Sequence, residues 1–242
     1  MAKFVSMKEA ADLVHDGMSI MVGGFLGCGS AHSLLEYLAK SNVRDLTVIC
    51  NDAALQNGPD GSEYYGIAKL VANHQVKKLI ATHVGLNPDV AKQMSEGTLE
   101  VSLVPQGSLA EMIRAGGAGL GGVLTPTGIG TMVEDSEFSC GIVEVDGKPF
   151  LLKKPLRADL ALLNGHLVDR VGNVWYKGTT RNFNQVMALA SDTVIMEADR
   201  IVEVGEIEPE NVMTPGILVD YVVQRTAADT LAEAAEPLSA AV

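Results

Sequence analysis

Four largely apolar segments, separated by sequences typical of helices, constrain the fold of this chain most strongly. They are SIMVG (19–23), LTVICN (46–51), KKLIAT (77–82) and LEVSLV (99–104). Continuous apolar strands that alternate with helices are typical of a parallel sheet covered on both faces. The sequence therefore predicts an α/β fold, with a mostly parallel open sheet flanked by helices.

Two capping boxes predict where helices begin. Ser6 and Glu9 form the first, and we expect the helix that starts there to end at Gly17, a natural residue for a helix C-terminus. Ser108 and Glu111 form the second and predict the start of a later helix. Both predictions rest on local side-chain chemistry alone.

Other local signals predict two helices, two further buried strands and a β-hairpin. In segment 87–97 an asparagine N-cap precedes proline, and glycine ends the helix. Leucines at helical spacing predict a helix in segment 31–40. Asp146 and Gly147 lie between two apolar runs, which indicates a hairpin. The further strands are DLALLNG (159–165) and DTVIMEA (192–198).

Two glycine clusters suggest unusual backbone. Residues 23–29 include four glycines, which predicts a tight bend or the close approach of another group; the alternative is a strand-to-helix turn that binds nothing. Residues 114–131 include seven, which predicts a surface loop whose N–H groups suit an extended or anionic ligand. The alternative for the second cluster is a flexible loop, or a packing surface for another subunit.

The predicted sheet brings three strand-end loops together. Ligands bind parallel sheets beyond the carboxyl ends of the strands. Segments 23–30, 51–56 and 105–108 each follow a predicted strand. We therefore expect these three loops to line one crevice.

Composition and missing motifs exclude several classes. A formal net charge of −12 argues against nonspecific nucleic-acid binding. The first glycine cluster does not fit the Rossmann fingerprint GxGxxG, because after Gly27-Cys28-Gly29 the sixth position of the motif is His32. The Walker A, HExxH and GxSxG motifs are absent, and the five histidines show no metal-ligand spacing. No signal peptide or membrane span is expected. Three cysteines without a CxxC pair favour a reducing cytoplasm. Cys28 is either a small core residue or a reactive thiol.

Three long motifs, in the same order, resemble those of the first (alpha) subunit of the family I (3-oxoacid type) CoA-transferases. They are DGMSIMVGGFLGCG (16–29), VPQGSLAEMIRAGGAGLGGVLTPTGIGT (104–131) and PLRADLALLNGHLVDRVGNVWYKGTTRNFN (155–184). The stretch YKGTTRNFN (176–184) most resembles the acetate/butyrate–acetoacetate branch. The resemblance runs from about Met7 to about Tyr221 and implies a single domain over residues 1–225, with an alanine-rich tail over 226–242.

The resemblance implies a transferase that moves CoA between a short-chain or 3-oxoacyl-CoA and a carboxylic acid by ping-pong chemistry. CoA is a substrate and no cofactor is permanently bound. In this family a glutamate of the second (beta) subunit, in a motif resembling SENG, is the nucleophile and forms a glutamyl-CoA thioester. No Glu-Asn-Gly sequence occurs here. A partner beta subunit, in an α2β2 assembly, is therefore expected.

Site roles follow from the resemblance for the glycine loop, and from position at strand ends for Gln106 and Asn51. The CoA-binding segment comprises Gly23, Gly24, Phe25, Leu26, Gly27, Cys28 and Gly29. Its amides, near a helix N-terminus, would hold polar groups of CoA. Gln106 would hydrogen-bond the thioester oxygen, and Asn51 would orient the substrate or the CoA amide. The alternative for both side chains is a turn role. Arg114 and Lys177 are weak candidates for phosphate contacts. Asp52 and Glu134 are assigned turn and surface roles.

Two departures from the family pattern and three rival functions remain open. Ala31 stands where the family usually has proline, and segment 56–66 is longer than expected, which would alter the substrate pocket or a subunit contact. One rival is a 3-oxoadipate or other 3-oxoacid CoA-transferase. A second, from a different class, is a sugar-phosphate isomerase or sensor of similar fold. A CoA-binding scaffold subunit without a partner is a third, non-catalytic possibility.

Overall fold

A computed structural model describes residues 2–226 as a nine-stranded sheet with helices and two small antiparallel sheets. The strands are β1 Lys3–Phe4, β2 Ser19–Val22, β3 Leu46–Cys50, β4 Leu55–Gln56, β5 Tyr64–Tyr65, β6 Val76–Ala81, β7 Glu100–Leu103, β8 Val123–Thr125, β9 Ser139–Val145, β10 Lys148–Lys153, β11 Ala158–Asp169, β12 Val174–Trp175, β13 Ser191–Val202 and β14 Tyr221–Gln224. The helices are α1 Met7–Ala11, α2 His32–Ala39, α3 Ala68–Ala72, α4 Pro88–Glu96, α5 Gln106–Gly117 and α6 Asn184–Leu189, with 3₁₀ helices at Gly178–Arg181, Pro209–Asn211 and Gly216–Leu218.

The large sheet confirms the predicted parallel architecture. Its order is β1-β14-β13-β11-β2-β3-β6-β7, and every pair along this path is parallel. Strand β12 adds an antiparallel pair to the far end of β11. Because β2, β3, β6 and β7 are neighbours and run the same way, the segments that follow them emerge at one edge.

Two hydrophobic cores lie on opposite faces of this sheet. Successive side chains of a strand point to opposite faces, and the buried residues divide accordingly. One core joins Ile20, Val22, Val48 and Leu79 to Leu34, Leu35 and Leu70 of the helices α2 and α3. The other joins Met21, Ile49 and Ile80 to Leu109, Met112 and Met187 of α5 and α6. This double coverage explains why the strands are apolar without alternation.

The first capping box is present, but the predicted end of its helix is wrong. Ser6 Oγ accepts a hydrogen bond from the Glu9 amide (3.2 Å), and Glu9 Oε2 accepts one from the Ser6 amide (2.8 Å). The helix ends at Ala11, because the backbone then tightens into turns with hydrogen bonds three residues apart. Gly17 lies in the turn before β2, where its amide donates to the carbonyl of Arg44 (3.0 Å).

The second predicted capping box is wrong, because helix α5 begins earlier than expected. The earlier start also determines the position of a candidate site residue. Helix α5 starts at Gln106, directly after Pro105, whose φ of −52° is already close to helical. Ser108 is therefore inside the helix, where its buried hydroxyl has no partner among the described residues. Consequently Gln106 occupies the first helical position, just beyond the carboxyl end of β7.

The second glycine cluster is only partly the surface loop that the sequence suggested. Its first residues complete α5, and Val123–Thr125 form β8 of a three-stranded sheet. A Cβ at Gly116 would lie 1.9 Å from the carbonyl oxygen of Leu156, and one at Gly117 would lie 2.6 Å from Leu189 Cβ. These glycines therefore let α5 pack closely against the chain's own neighbouring segments.

The remaining predicted elements are confirmed. Strands β9 and β10 form the hairpin, with Asp146 and Gly147 at φ of 51° and 72°. Helix α4 ends at Gly97 in the left-handed conformation. Asn87 stands at its N-cap, but the side chain donates instead to the Ala53 carbonyl (3.0 Å). The alanine-rich tail lies outside the described residues from position 227 onward. No helix within the described part is long and apolar enough to cross a membrane.

Candidate active site

Three loops meet at the carboxyl edge of the sheet, as predicted. The loop 23–30 follows β2, residues 51–54 follow β3, and Gln106 follows β7. The amide of Leu26 donates to Asp52 Oδ2 (2.8 Å), and Gln106 Nε2 donates to Asn51 Oδ1 (2.6 Å). Residues that are far apart in sequence are thus joined directly around one crevice.

The crevice contains two adjoining clefts. The first, of about 400 Å³, is lined by Phe25, Gln106, Gly107, Ala110, Asn182, Phe183 and Val186. The second, of about 630 Å³, is lined by Phe25, Cys28, Gly178, Thr179, Arg181 and Asn182. Phe25, 44% exposed, borders both clefts. The arrangement offers a largely apolar first compartment, and a more polar second compartment with one guanidinium group.

The glycines of loop 23–29 are required because other parts of the protein approach them closely. A Cβ at Gly23 would lie 1.9 Å from Asn184 Oδ1, one at Gly27 would lie 2.1 Å from the ring of Tyr65, and one at Gly29 would lie 2.5 Å from the Thr180 carbonyl. Both expectations for this cluster, tight bending and close approach, are therefore met by the chain itself.

Two asparagines that no local sequence pattern singled out hold this loop. Asn182 Oδ1 accepts from the Gly24 amide (3.1 Å), and its Nδ2 donates to the Cys28 carbonyl (2.9 Å). Asn184 is fully buried, and its Nδ2 donates to the Gly29 carbonyl (2.8 Å). Both lie in the NFN end of the third motif. The only sequence signal was that motif, because nothing local indicates a contact with a segment more than 150 residues away.

Most amides of the glycine loop already have acceptors within the protein. Those of Phe25 and Cys28 donate to each other's carbonyl oxygens, and that of Leu26 donates to Asp52. Among the described residues, only the amides of Gly27 and Gly29 within segment 23–29 have no hydrogen-bond acceptor. The loop therefore offers fewer donors to a ligand than its glycine content suggested.

The N-terminus of α2, which follows the loop, is closed by a carboxylate of the protein. Glu197 of β13 is fully buried and accepts hydrogen bonds from the amides of Leu34 (2.8 Å) and Ser33 (3.2 Å). Burial raises the pKa of Glu197, and these hydrogen bonds and Arg225 oppose that shift. Glu197 therefore occupies the N-terminus of α2, and the amides of Ser33 and Leu34 are not available to a ligand. The same contact compensates for Ala31, which provides no side-chain cap.

Replacing Glu197 with alanine should lower the free energy of unfolding by about 3 kcal/mol, because two buried N–H groups lose their acceptor, at about 1–3 kcal/mol each. Urea unfolding followed by circular dichroism measures the change. The matched control is Glu203→Ala, whose side chain is 72% exposed and pairs with Arg170, and we expect a change below about 0.5 kcal/mol. Equal losses in the two variants would contradict the capping role.

Of the other candidate residues, some line the two clefts and some lie away from them. Cys28 is exposed and borders the second cleft, so the core interpretation is wrong. Arg114 pairs with Glu111 (2.7 Å), and neither Arg114 nor Lys177 lines the two clefts. Arg181, which no sequence pattern singled out, does line the second. Within residues 2–226 no cluster of three or more His, Cys, Asp or Glu side chains is arranged to hold a metal ion.

The structure also locates three other features from the sequence: Asp52, Glu134 and the longer segment 56–66. Asp52 is buried and accepts from the amides of both Leu26 and Ala54, a larger role than a simple turn. Glu134 accepts from the Gly130 amide (2.7 Å) in an exposed turn. Strands β4 and β5 form a small hairpin in the longer segment, and the ring of Tyr65 packs 4.4 Å from that of His32. Since Tyr65 also packs beneath Gly27, this segment contacts the glycine loop itself.

Comparison with known proteins identifies the family. The model of the coenzyme A transferase family matches residues 4–225. The chain belongs to the coenzyme A transferase family. The sugar-phosphate alternative loses its basis with this finding.

Two relatives match almost end to end. The chain is 46% identical to the acetoacetyl-CoA:acetate/butyrate CoA transferase alpha subunit of Clostridium acetobutylicum, over 93% of this chain and 99% of that protein. It is 47% identical to the alpha subunit of the acetate CoA-transferase of Escherichia coli, over 91% and 96%. The resemblance seen in the three motifs therefore extends over nearly the whole length of these alpha subunits.

A solved acyl-CoA transferase shows the same fold. An acyl-CoA transferase of Escherichia coli, determined as a thioester complex with CoA, superimposes with a TM-score of 0.81 at 24% identity. The match covers 93% of this chain but 47% of that protein, so this chain spans about half of its length.

Proposed function

We propose that this coenzyme A transferase chain is the alpha subunit of a hetero-oligomeric enzyme that exchanges CoA between acetoacetyl-CoA and acetate or butyrate. The partner is a beta subunit, in an α2β2 assembly. The near end-to-end similarity to two alpha subunits with acetate among their named substrates carries this proposal. Short-chain specificity also agrees with a first cleft of about 400 Å³ whose lining is largely apolar.

The chemistry is a ping-pong exchange through a glutamyl-CoA thioester on the partner. The covalent intermediate divides one difficult exchange into two easier steps. Among the residues described, no aspartate or glutamate lines either cleft. The nearby buried glutamate, Glu197, is committed to the end of α2. These facts favour a nucleophile that the partner subunit contributes.

This chain polarises the thioester and binds CoA. One N–H of Gln106 Nε2 is held by Asn51, and the amide lines the first cleft, where its second N–H donates to a thioester oxygen. Asn51 acts by fixing that amide, since its own side chain is 2% exposed. Loop 23–29 contacts CoA through Phe25 and Cys28, the two of its residues that line the clefts. Arg181 faces the negatively charged end of a substrate in the second cleft.

CoA transfer from acetoacetyl-CoA to acetate should require both subunits. The assay compares this chain alone, the isolated beta subunit and the mixture, with butyrate and 3-oxoadipate as competing acceptors. We expect turnover only in the mixture, and a mass in solution equal to two copies of each subunit. Turnover by this chain alone would overturn the split site, and Cys28→Ser would then test the exposed thiol. Preference for 3-oxoadipate over acetate and butyrate would reject the proposed substrates.

A further inference from the structure

One buried carboxylate at the crevice contacts both walls. Asp52 is 5% exposed and lies at the carboxyl end of β3. Its Oδ2 accepts from the Leu26 amide of the glycine loop (2.8 Å) and from Asn51 Nδ2 (2.6 Å), and its Oδ1 accepts from the Ala54 amide (2.8 Å). No other carboxylate among the described residues joins the glycine loop to the residues that hold Gln106.

The hydrogen bonds of Asp52 determine which way two amides point. A carboxylate offers only acceptors, so the Asn51 group that faces it is the NH₂ donor. Asn51 Oδ1 then faces Gln106, and only the NH₂ end of Gln106 can donate to it. The order Asp52–Asn51–Gln106 therefore leaves a single consistent orientation for both amides.

We propose that Asp52 is a positioning residue for the transfer reaction: through Asn51 it fixes the Gln106 amide with a donor toward the first cleft, and through Leu26 it fixes the glycine loop opposite. This inference rests on the proposed CoA-transferase function. Asp52 touches neither substrate nor the reacting atoms, since it does not line the clefts. Its contribution is orientation, which matters because small errors in the placement of a catalytic group lower rates strongly.

Loss of the carboxylate frees Asn51 to rotate. With either group of Asn51 then able to face Gln106, the glutamine amide samples both orientations, and in one of them its carbonyl oxygen meets the substrate oxygen. We expect Asp52→Ala to lower kcat about 30-fold in the assembled enzyme, with the KM for acetate changed less than about threefold. A uniform loss of folded protein would instead lower the concentration of active sites and leave kcat per site unchanged.

A double-mutant cycle with Gln106→Ala tests this coupling. If Asp52 acts through Gln106, Asp52→Ala lowers kcat per active site by less than about threefold once Gln106 is already alanine. The surface variant Asp12→Asn, whose carboxylate pairs with Lys8 on α1, is the matched control and leaves kcat unchanged. If Asp52→Ala does not assemble, Asp52→Leu, which is of similar size and offers no acceptor oxygen, takes its place under the same criterion.

The outcomes separate the two proposals. No CoA transfer by the wild-type complex rejects the proposed function. With an active wild-type complex, multiplicative kcat losses reject positioning through Gln106, and an unchanged kcat in the Asp52 variant rejects the positioning role as a whole. A 30-fold loss that disappears in the Gln106→Ala background supports it.

Discussion

Replacing Gln106 with alanine should lower the kcat of the assembled transferase about 100-fold, the usual effect of losing one donor to a developing oxyanion. The variant removes the amide that lines the first cleft and is held by Asn51. The folded state should lose less than about 1 kcal/mol, because Gln106 is exposed and water from the cleft can replace its hydrogen bond to Asn51. Steady-state transfer from acetoacetyl-CoA to acetate, together with urea unfolding, measures both quantities.

The matched control is Gln185→Ala. Gln185 also uses its amide in one hydrogen bond, to the Met213 carbonyl (2.7 Å), but it does not line either cleft. We expect its kcat to stay within about twofold of wild type. A kcat for Gln106→Ala that remains within about threefold of wild type would reject the polarising role, as would a loss that tracks reduced stability.

The order of strands in the sheet explains why the sequence predicted the position of the crevice. The strands β2, β3 and β7 were recognisable as apolar segments, and parallel order brings their carboxyl ends to one edge. The contacts between loop 23–30, Asn51 and Gln106 follow from that order. The pattern of buried strands therefore predicted both the fold class and the position of the candidate site.

Local signals were less reliable where tertiary contacts intervene. Gly17 carries a left-handed conformation, as a C-terminal glycine would, but in a turn that leads into β2. Ser108 has the residue type of an N-cap, yet Pro105 starts the helix earlier. In both cases the residue type suits a helix end, but other local features determined the actual bounds: tight turns after Ala11 end α1, and Pro105 precedes the first residue of α5.

The supports of the glycine loop were not predictable from residue patterns. Asn182 contacts Gly24 and Cys28 across more than 150 positions, and Glu197 caps α2 from a strand about 160 positions away. No local feature of an asparagine that precedes phenylalanine, or of a glutamate in an apolar strand, predicts which residue it will contact. Only the fold brings these groups together.

Gly24→Val should cost more than about 4 kcal/mol of stability, or prevent folding, because two unfavourable terms add. Gly24 has a φ of +119°, well beyond the left-handed helical region that other residues occasionally adopt. A Cβ there would also lie 2.1 Å from Ser30 Oγ and 3.2 Å from the Ser30 backbone nitrogen. The glycine loop would have to move, and CoA affinity of any folded fraction should fall. Urea unfolding and calorimetric titration with CoA measure the two effects.

The Gly97→Val variant separates the cost of conformational strain from the cost of the steric clash. Gly97 also has a positive φ, +72°, but a Cβ there meets nothing within 4 Å. Its cost should therefore be conformational strain alone, about 1–2 kcal/mol, with CoA affinity unchanged. If both valine variants lose the same stability, the packing of loop 23–29 against Ser30 contributes nothing. If Gly24→Val folds and binds CoA as the wild type does, the loop is not part of the CoA site. Restoration of part of the stability by adding Ser30→Gly to Gly24→Ala would locate the clash at the Ser30 side chain, since that change removes the nearest atom.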